Sequence, residues 1–254
     1  HIEGNTLTYG ETALLLIFDK TQGNHDYREF EEMKAHDVAF KLIQTWAIEI
    51  DRPLTEVDIK LLHQTILVRP FWKEAITPDR QPTRRLIEIG NYKKYPNSVR
   101  LESGEMFEYA SVMDTPMLMG DLMRWLRETE QHDSLHPVEL AARLHYKLVR
   151  IHPFDDGNGR IARAISDMLL AQAESSGERF YSMSGQILVE RKQYYSVLQK
   201  VQHSSGDITE WMQWFLSCLK NAITSTQQTT EKIMYKVVFW KKHERTPLNE
   251  RQRL

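Results

Sequence analysis

The chain has 254 residues, 41% of them hydrophobic and 27% charged, with a formal net charge of −2. That length buries a substantial core in one large or two small domains, and the near-neutral balance excludes a whole-molecule field aimed at nucleic acid or anionic membrane. The single cysteine, Cys218, excludes an internal disulfide, the longest apolar run (residues 13–18) is too short to span a bilayer, and no signal peptide is visible, so a cytoplasmic chain without a membrane partner is expected.

Residues 27–50 place Phe30, Met33, Ala39 or Phe40, Ile43, Trp46 and Ile50 at three-to-four-residue spacing, which predicts one long helix. Thr55 followed by Asp58 predicts a capping-box start for a helix running to Val68. Residues 90–113 differ: tyrosines, Val99, Phe107, Tyr109 and Val112 flank the turn residues Glu102, Ser103, Gly104 and Glu105, which predicts a β-hairpin. Pro116 opens a helix with Leu118, Leu122, Trp125 and Leu126 on one face, and His136-Pro137 opens another with Leu140, Ala141, Leu144 and Leu148. A helix over residues 159–173 carries Ile161, Ala164, Ile165, Met168 and Leu169. Further helices are expected over residues 191–202, 208–224 and 230–243, before a polar, basic end. The fold class is therefore mainly α with one hairpin. Three regions are expected: an N-terminal helical part (1–50), a core (51–225), and a C-terminal helix with the basic stub of a linker (226–254).

The chemistry gathers in H-P-F-D-D-G-N-G-R, His152 to Arg160, followed three residues later by Arg163. A glycine-rich turn feeding a helix start offers free backbone N–H groups and the positive end of the helix dipole, so anions bind there. Arg160 and Arg163 share a helix face and lean back toward that end, where guanidinium forks grip phosphate oxygens. A lone carboxylate beside phosphates, here Asp156, is the usual arrangement for Mg²⁺. His152 is a candidate base, worth roughly 10²–10⁴-fold in rate if it reaches a hydroxyl. G-N-G-R-I-A also matches the loose dinucleotide pattern, but no strand precedes it; the lysine-containing phosphate loop and zinc-site spacings are absent from the sequence.

The segment from His152 to Arg163 resembles the Fic signature H-x-F-x-[DE]-G-N-G-R-x-x-R at every specified position. The similarity extends over roughly residues 1–225. The resemblance implies a Fic-type helical bundle, with residues 51–225 as the Fic core and the hairpin as a flap beside the active site. It implies transfer of AMP from ATP to a Tyr, Thr or Ser hydroxyl of a target protein. His152 would be the base and Asp156 the Mg²⁺ ligand. Gly157, Asn158, Gly159, Arg160, Ile161, Ala162 and Arg163 would form the nucleotide-binding turn, with both arginines on the β and γ phosphates. Glu108, Tyr109, Ala110 and Ser111 would be the flap's target-docking edge, by strand addition. Tyr194, beside Tyr195, would line the base pocket unless it is a core aromatic, and Gln202 would contact the nucleotide.

Ile2-Glu3-Gly4-Asn5 resembles the family's N-terminal inhibitory motif, in which Glu3 would pair with Arg163 and hold ATP unproductively. The motif's Ser or Thr would precede His1. A Fic-fold enzyme could move phosphate or phosphocholine, or remove AMP; retention of both arginines favours nucleotidyl transfer. A nucleotide-sensing or DNA-associated regulator draws on the basic residues between Arg80 and Arg100, but such runs are commonly solvated faces, and nucleic acid is not the expected partner. The sequence leaves room for a homodimer.

Overall fold

The computed structural model describes residues 7, 9–18, 21, 27–49, 51–77, 81–101, 104–174, 179–203 and 206–243. Within them the order is α1 (Tyr9–Phe18), α2 (Tyr27–Ile48), α3 (Glu56–Leu67), β1 (Phe71–Ile76), β2 (Pro82–Ile87), β3 (Ser98–Arg100), β4 (Met106–Glu108), α4 (Thr115–Gln131), α5 (Pro137–Ile151), α6 (Asn158–Ala173), α7 (Met183–Val189), α8 (Arg191–Gln202) and α9 (Thr209–Lys242).

α6 is the central helix. Between residues 158 and 171 every side chain except those of positions 159, 164 and 167 is buried. It packs against α5, α2 and α3, and α9 closes the far side of α5. The apolar faces expected for α5 and α6 form this core, with Leu144 and Ile161 at 0% and 1% exposure. Cys218 is buried with Trp211, Trp214 and Phe215 on the first half of α9. Leu7, Leu15 and Phe30 make a small separate cluster between the chain start and α2.

The capping box is present at α3: Asp58 N–H donates to Thr55 Oγ1, and Thr55 N–H donates to Asp58 Oδ2 at 2.8 Å. The hairpin expected near residues 90–113 is the antiparallel pair β3–β4, with Val99 opposite Phe107. A second antiparallel ribbon, β1–β2, was not anticipated from the sequence. The two helices expected over 208–224 and 230–243 are one continuous helix, α9. The polar stretch between them contains neither Gly nor Pro, so nothing breaks it. From residue 227 to 242 that helix is exposed. No helix among the described residues is long and apolar enough to cross a membrane.

Candidate active site

The loop joining α5 to α6 is held from several sides. His152 ends α5 in the left-handed region (φ 53, ψ 59), its N–H donating to Leu148 O. A non-glycine residue adopts that conformation only when its surroundings impose it. Here they do. Phe154 is fully buried and stacks on the His63 ring at 4.0 Å. Asn158 clamps the Phe154 peptide, accepting from its N–H at 2.9 Å and donating to its O at 2.8 Å. Asn97 donates to the same carbonyl, and Lys93 donates through its backbone to Pro153 O and through Nζ to Ile151 O. Asp155 accepts from the N–H groups of Lys94 and Tyr95. Gly157 then starts α6 at φ 80, where a side chain would be strained.

His63 sits beneath this loop on α3. Its Nε2–H donates to Asp156 O at 3.1 Å, and its Nδ1 accepts from Gly90 N–H at 2.8 Å, which settles the tautomer. Burial keeps the ring neutral, pulling its pKa down to about 4, with the Arg160 charge adding to the effect. Gly90 sits at φ 73, where an L side chain is strained, and an added Cβ would also push aside the exposed Gln64 side chain.

His152 Nδ1 lies 3.3 Å from Val149 O. A carbonyl only accepts, so Nδ1 carries the proton and Nε2 keeps its lone pair. Tyr109, just after β4, stacks on the ring at 3.9 Å, and Gln202 hydrogen-bonds to the Tyr109 side chain. Burial lowers the His152 pKa to about 4, and the Lys93 and Lys73 charges act in the same direction. The imidazole is therefore neutral at ordinary pH.

Asp156 faces the same cleft. Burial pushes its carboxyl pKa up, but Lys73 and Arg160, with the Gly157 N–H, outweigh that and hold it below the usual range. Lys73 Nζ donates to Oδ2 at 3.1 Å, Arg160 Nη2 lies 4.0 Å from Oδ1, and Gly157 N–H donates to Oδ1 at 2.8 Å. The cleft, about 470 Å³, is lined among others by His152, Asp156, Gly157, Asn158, Gly159 and Arg163. A base, an ionised carboxylate, a helix N-terminus and a guanidinium thus meet in one space, an arrangement suited to a polyphosphate beside an incoming hydroxyl.

A family model described as Fic/DOC family matches residues 53–170. The solved structure of a Fic domain containing signaling protein from Bacteroides thetaiotaomicron is 37% identical, covers 89% of this chain and 81% of its own, and superposes with a TM-score of 0.75. The chain belongs to the Fic/DOC family. Proteins named protein adenylyltransferase Fic from Drosophila grimshawi and Drosophila mojavensis are 31% and 32% identical over 222 residues, 87% of this chain. The chain spans about two fifths of the length of these curated relatives. Fic-1 from C. elegans, at 23% identity and a TM-score of 0.67 over 91% of this chain, shares the fold.

Against this Fic framework, the expected residues separate into two groups. Tyr109, Tyr194 and Gln202 line the cleft with the signature residues. Ile161 and Ala162 are core residues of α6, and Arg160 lies behind the cleft wall, its Nε buried without a hydrogen-bond partner. Tyr194 is 2% exposed and sits among Trp211, Trp214 and Tyr195. Its hydroxyl joins a buried chain. Ser166 O–H donates to Ala162 O, so Ser166 Oγ accepts from His145 Nδ1–H, and His145 Nε2 accepts from Tyr194. Burial, then Arg163, pull the His145 pKa down to about 3.

Glu108 closes β4, Tyr109 N–H donates to Asn97 O, and Ala110 follows it, partly buried. Ser111 Oγ donates to Asp114 Oδ2, in the turn that starts α4. Glu3 lies outside the described residues. Sequence reasoning missed Lys73, His63, Lys93 and Asn97, because each is an ordinary polar residue whose role depends on what folds against it.

Proposed function

We propose that this Fic chain transfers AMP from ATP to a Ser, Thr or Tyr hydroxyl of a target protein or of itself. The observation that carries the reading is the convergence of His152 Nε2, Asp156, the first turn of α6 and Arg163 on one cleft, with the β3–β4 flap at its mouth. The names of the Drosophila relatives support the same chemistry.

Asp156 fits Mg²⁺. Its carboxyl is held ionised at the cleft surface, and among the described residues it belongs to no larger cluster of ligating side chains. One carboxylate together with substrate phosphates is the common way to hold this ion. When bound, Mg²⁺ would neutralise charge building on the leaving pyrophosphate. His152 takes the hydroxyl proton on Nε2 while the hydroxyl oxygen bonds to the α-phosphorus. The bond from that phosphorus to the β-phosphate oxygen breaks, and pyrophosphate leaves with its electron pair. A base whose pKa rests near 4 is weak, but polyphosphate charge in the same cleft favours the imidazolium and strengthens it. Arg163 and the α6 amides receive the β and γ phosphates.

Glu3 pairing with Arg163 would compete with the γ-phosphate and keep the enzyme low in activity. Glu3→Gly is expected to raise automodification with ATP; unchanged or lower activity removes this regulatory role. The main test is intact-protein mass spectrometry after incubation with ATP and Mg²⁺. One added AMP mass is expected, lost in His152→Ala by roughly 10²-fold or more. Label retained from γ-labelled and not α-labelled ATP would mean phosphate transfer instead.

A further inference from the structure

The β1–β2 ribbon carries an unusual pair. Lys73 and Arg85 are directly opposite in the antiparallel register, so both leave the ribbon on one face, and both line the cleft. Directly opposed like charges destabilise a two-stranded ribbon unless something negative meets them. The compensation comes from the opposite wall. Lys73 pairs with Asp156, and Arg85 acts on Asp155, with its guanidinium 4.8 Å over the Tyr95 ring.

The ribbon's base is anchored: Ile87 is buried, Phe71 packs on the core, and Arg28 lies 3.5 Å over the Phe71 ring. Beyond that anchor the Lys73 side chain is 52% exposed, so its ammonium can change rotamer at little cost. A flexible ammonium with three donors suits an exchange of partners.

We propose that Lys73 is a phosphate-binding residue contributed by the β1–β2 hairpin, exchanging Asp156 for a nucleotide phosphate oxygen when Asp156 takes a divalent cation. The proposal rests on the nucleotidyl-transfer reading. An ammonium and a divalent cation cannot both sit close to one carboxylate without repelling each other. Asp155, the other carboxylate of the cleft, already accepts from the Lys94 and Tyr95 N–H groups, so Lys73 leaves Asp156 for the polyphosphate on the α6 N-terminus. Lys73 therefore opposes the cation alone and favours cation and triphosphate together. A residue with a purely structural role would not give opposite signs in those two measurements.

Calorimetric titration of the full chain tests this with three probes: Mn²⁺ alone, a non-hydrolysable ATP analogue with Mg²⁺, and AMP. Lys73→Met should weaken the analogue about tenfold, the scale of one charge-assisted hydrogen bond. It should leave AMP within about twofold and bind Mn²⁺ alone at least as tightly as wild type. Lys73→Arg should restore part of the loss. Analogue affinity unchanged in Lys73→Met, an equal loss for AMP, weaker Mn²⁺ binding, or no recovery with Arg overturns the inference and leaves the nucleotidyl-transfer reading standing. A wild-type chain that binds no adenine nucleotide overturns both.

Discussion

On one side of the cleft, the loop between α5 and α6 is seated in the core and fastened by His63, Asn97, Asn158 and Lys93. On the other, two narrow ribbons, β1–β2 and β3–β4, stand out from the helical body with exposed residues such as Trp72, Ile76 and Met106. The first wall holds groups that need fixed geometry: the His152 lone pair, the Asp156 carboxylate and the α6 amides. The second wall offers strand edges, an aromatic ring over His152 and cations on long stems. The proposed transfer tolerates little displacement, and the groups assigned to it are partly buried and braced. Partner recognition benefits from surface that can adjust, and thin ribbons can be remodelled without disturbing the helices.

The contrast can be broken most forcefully at His63. His63→Ala leaves the Gly90 N–H and Asp156 carbonyl unpaired in the interior, and a stability loss of about 2–4 kcal/mol in urea denaturation is expected. Transfer activity should fall with it. Unchanged stability would show that the braced wall does not depend on this ring.

Acid sharpens the same contrast, because the braced side holds three rings neutral. His63, His152 and His145 have pKa values of about 4, 4 and 3 in the fold against 6.5 in an unperturbed ring. Above 6.5 neither folded nor unfolded chain protonates them, and stability is at its full level. As pH falls from 6.5 toward 4 the unfolded chain binds protons that the fold excludes, so stability drops by about 1.4 kcal/mol per pH unit for each ring. Urea denaturation at pH 7 and pH 5 checks the sign, and His145→Gln should remove one proton from the slope. Equal stability at both values would mean that the rings titrate within the fold.

The smallest effect belongs to the ribbon side. Tyr109→Ala removes the stack over His152, worth about 0.5–1.5 kcal/mol, and should slow transfer by up to roughly tenfold with little change in melting temperature. Tyr109→Phe keeps the stack and loses only the Gln202 contact, so a decrease of about twofold or less is expected in the same assay. If Phe were as damaging as Ala, the hydroxyl and not the ring would be the working part.

Most helices were legible because their faces have different chemical character. α5 shows Leu140, Ala141, Leu144 and Leu148 on a buried stripe, and α3 announces its start through Thr55 and Asp58. The β1–β2 ribbon was not legible, since the face it turns inward carries Lys73 and Arg85 toward a polar cleft and no apolar alternation results. α7, seven residues long, is too short for a periodic signal. For Tyr194 the sequence supports both core and pocket, and it is a core aromatic that also lines the cleft.

The sequence by itself determined the helical class, the β3–β4 hairpin and the run from His152 to Arg163, because helical periodicity, turn chemistry and a helix-start anion site are local properties of the chain. Only the tertiary structure decided which nitrogen of His152 keeps its lone pair, why Asp156 stays ionised, and that Lys73 meets it across 83 positions of sequence. Those depend on burial and on charges that come close only in the folded chain, and no spacing along the sequence encodes a distance through space.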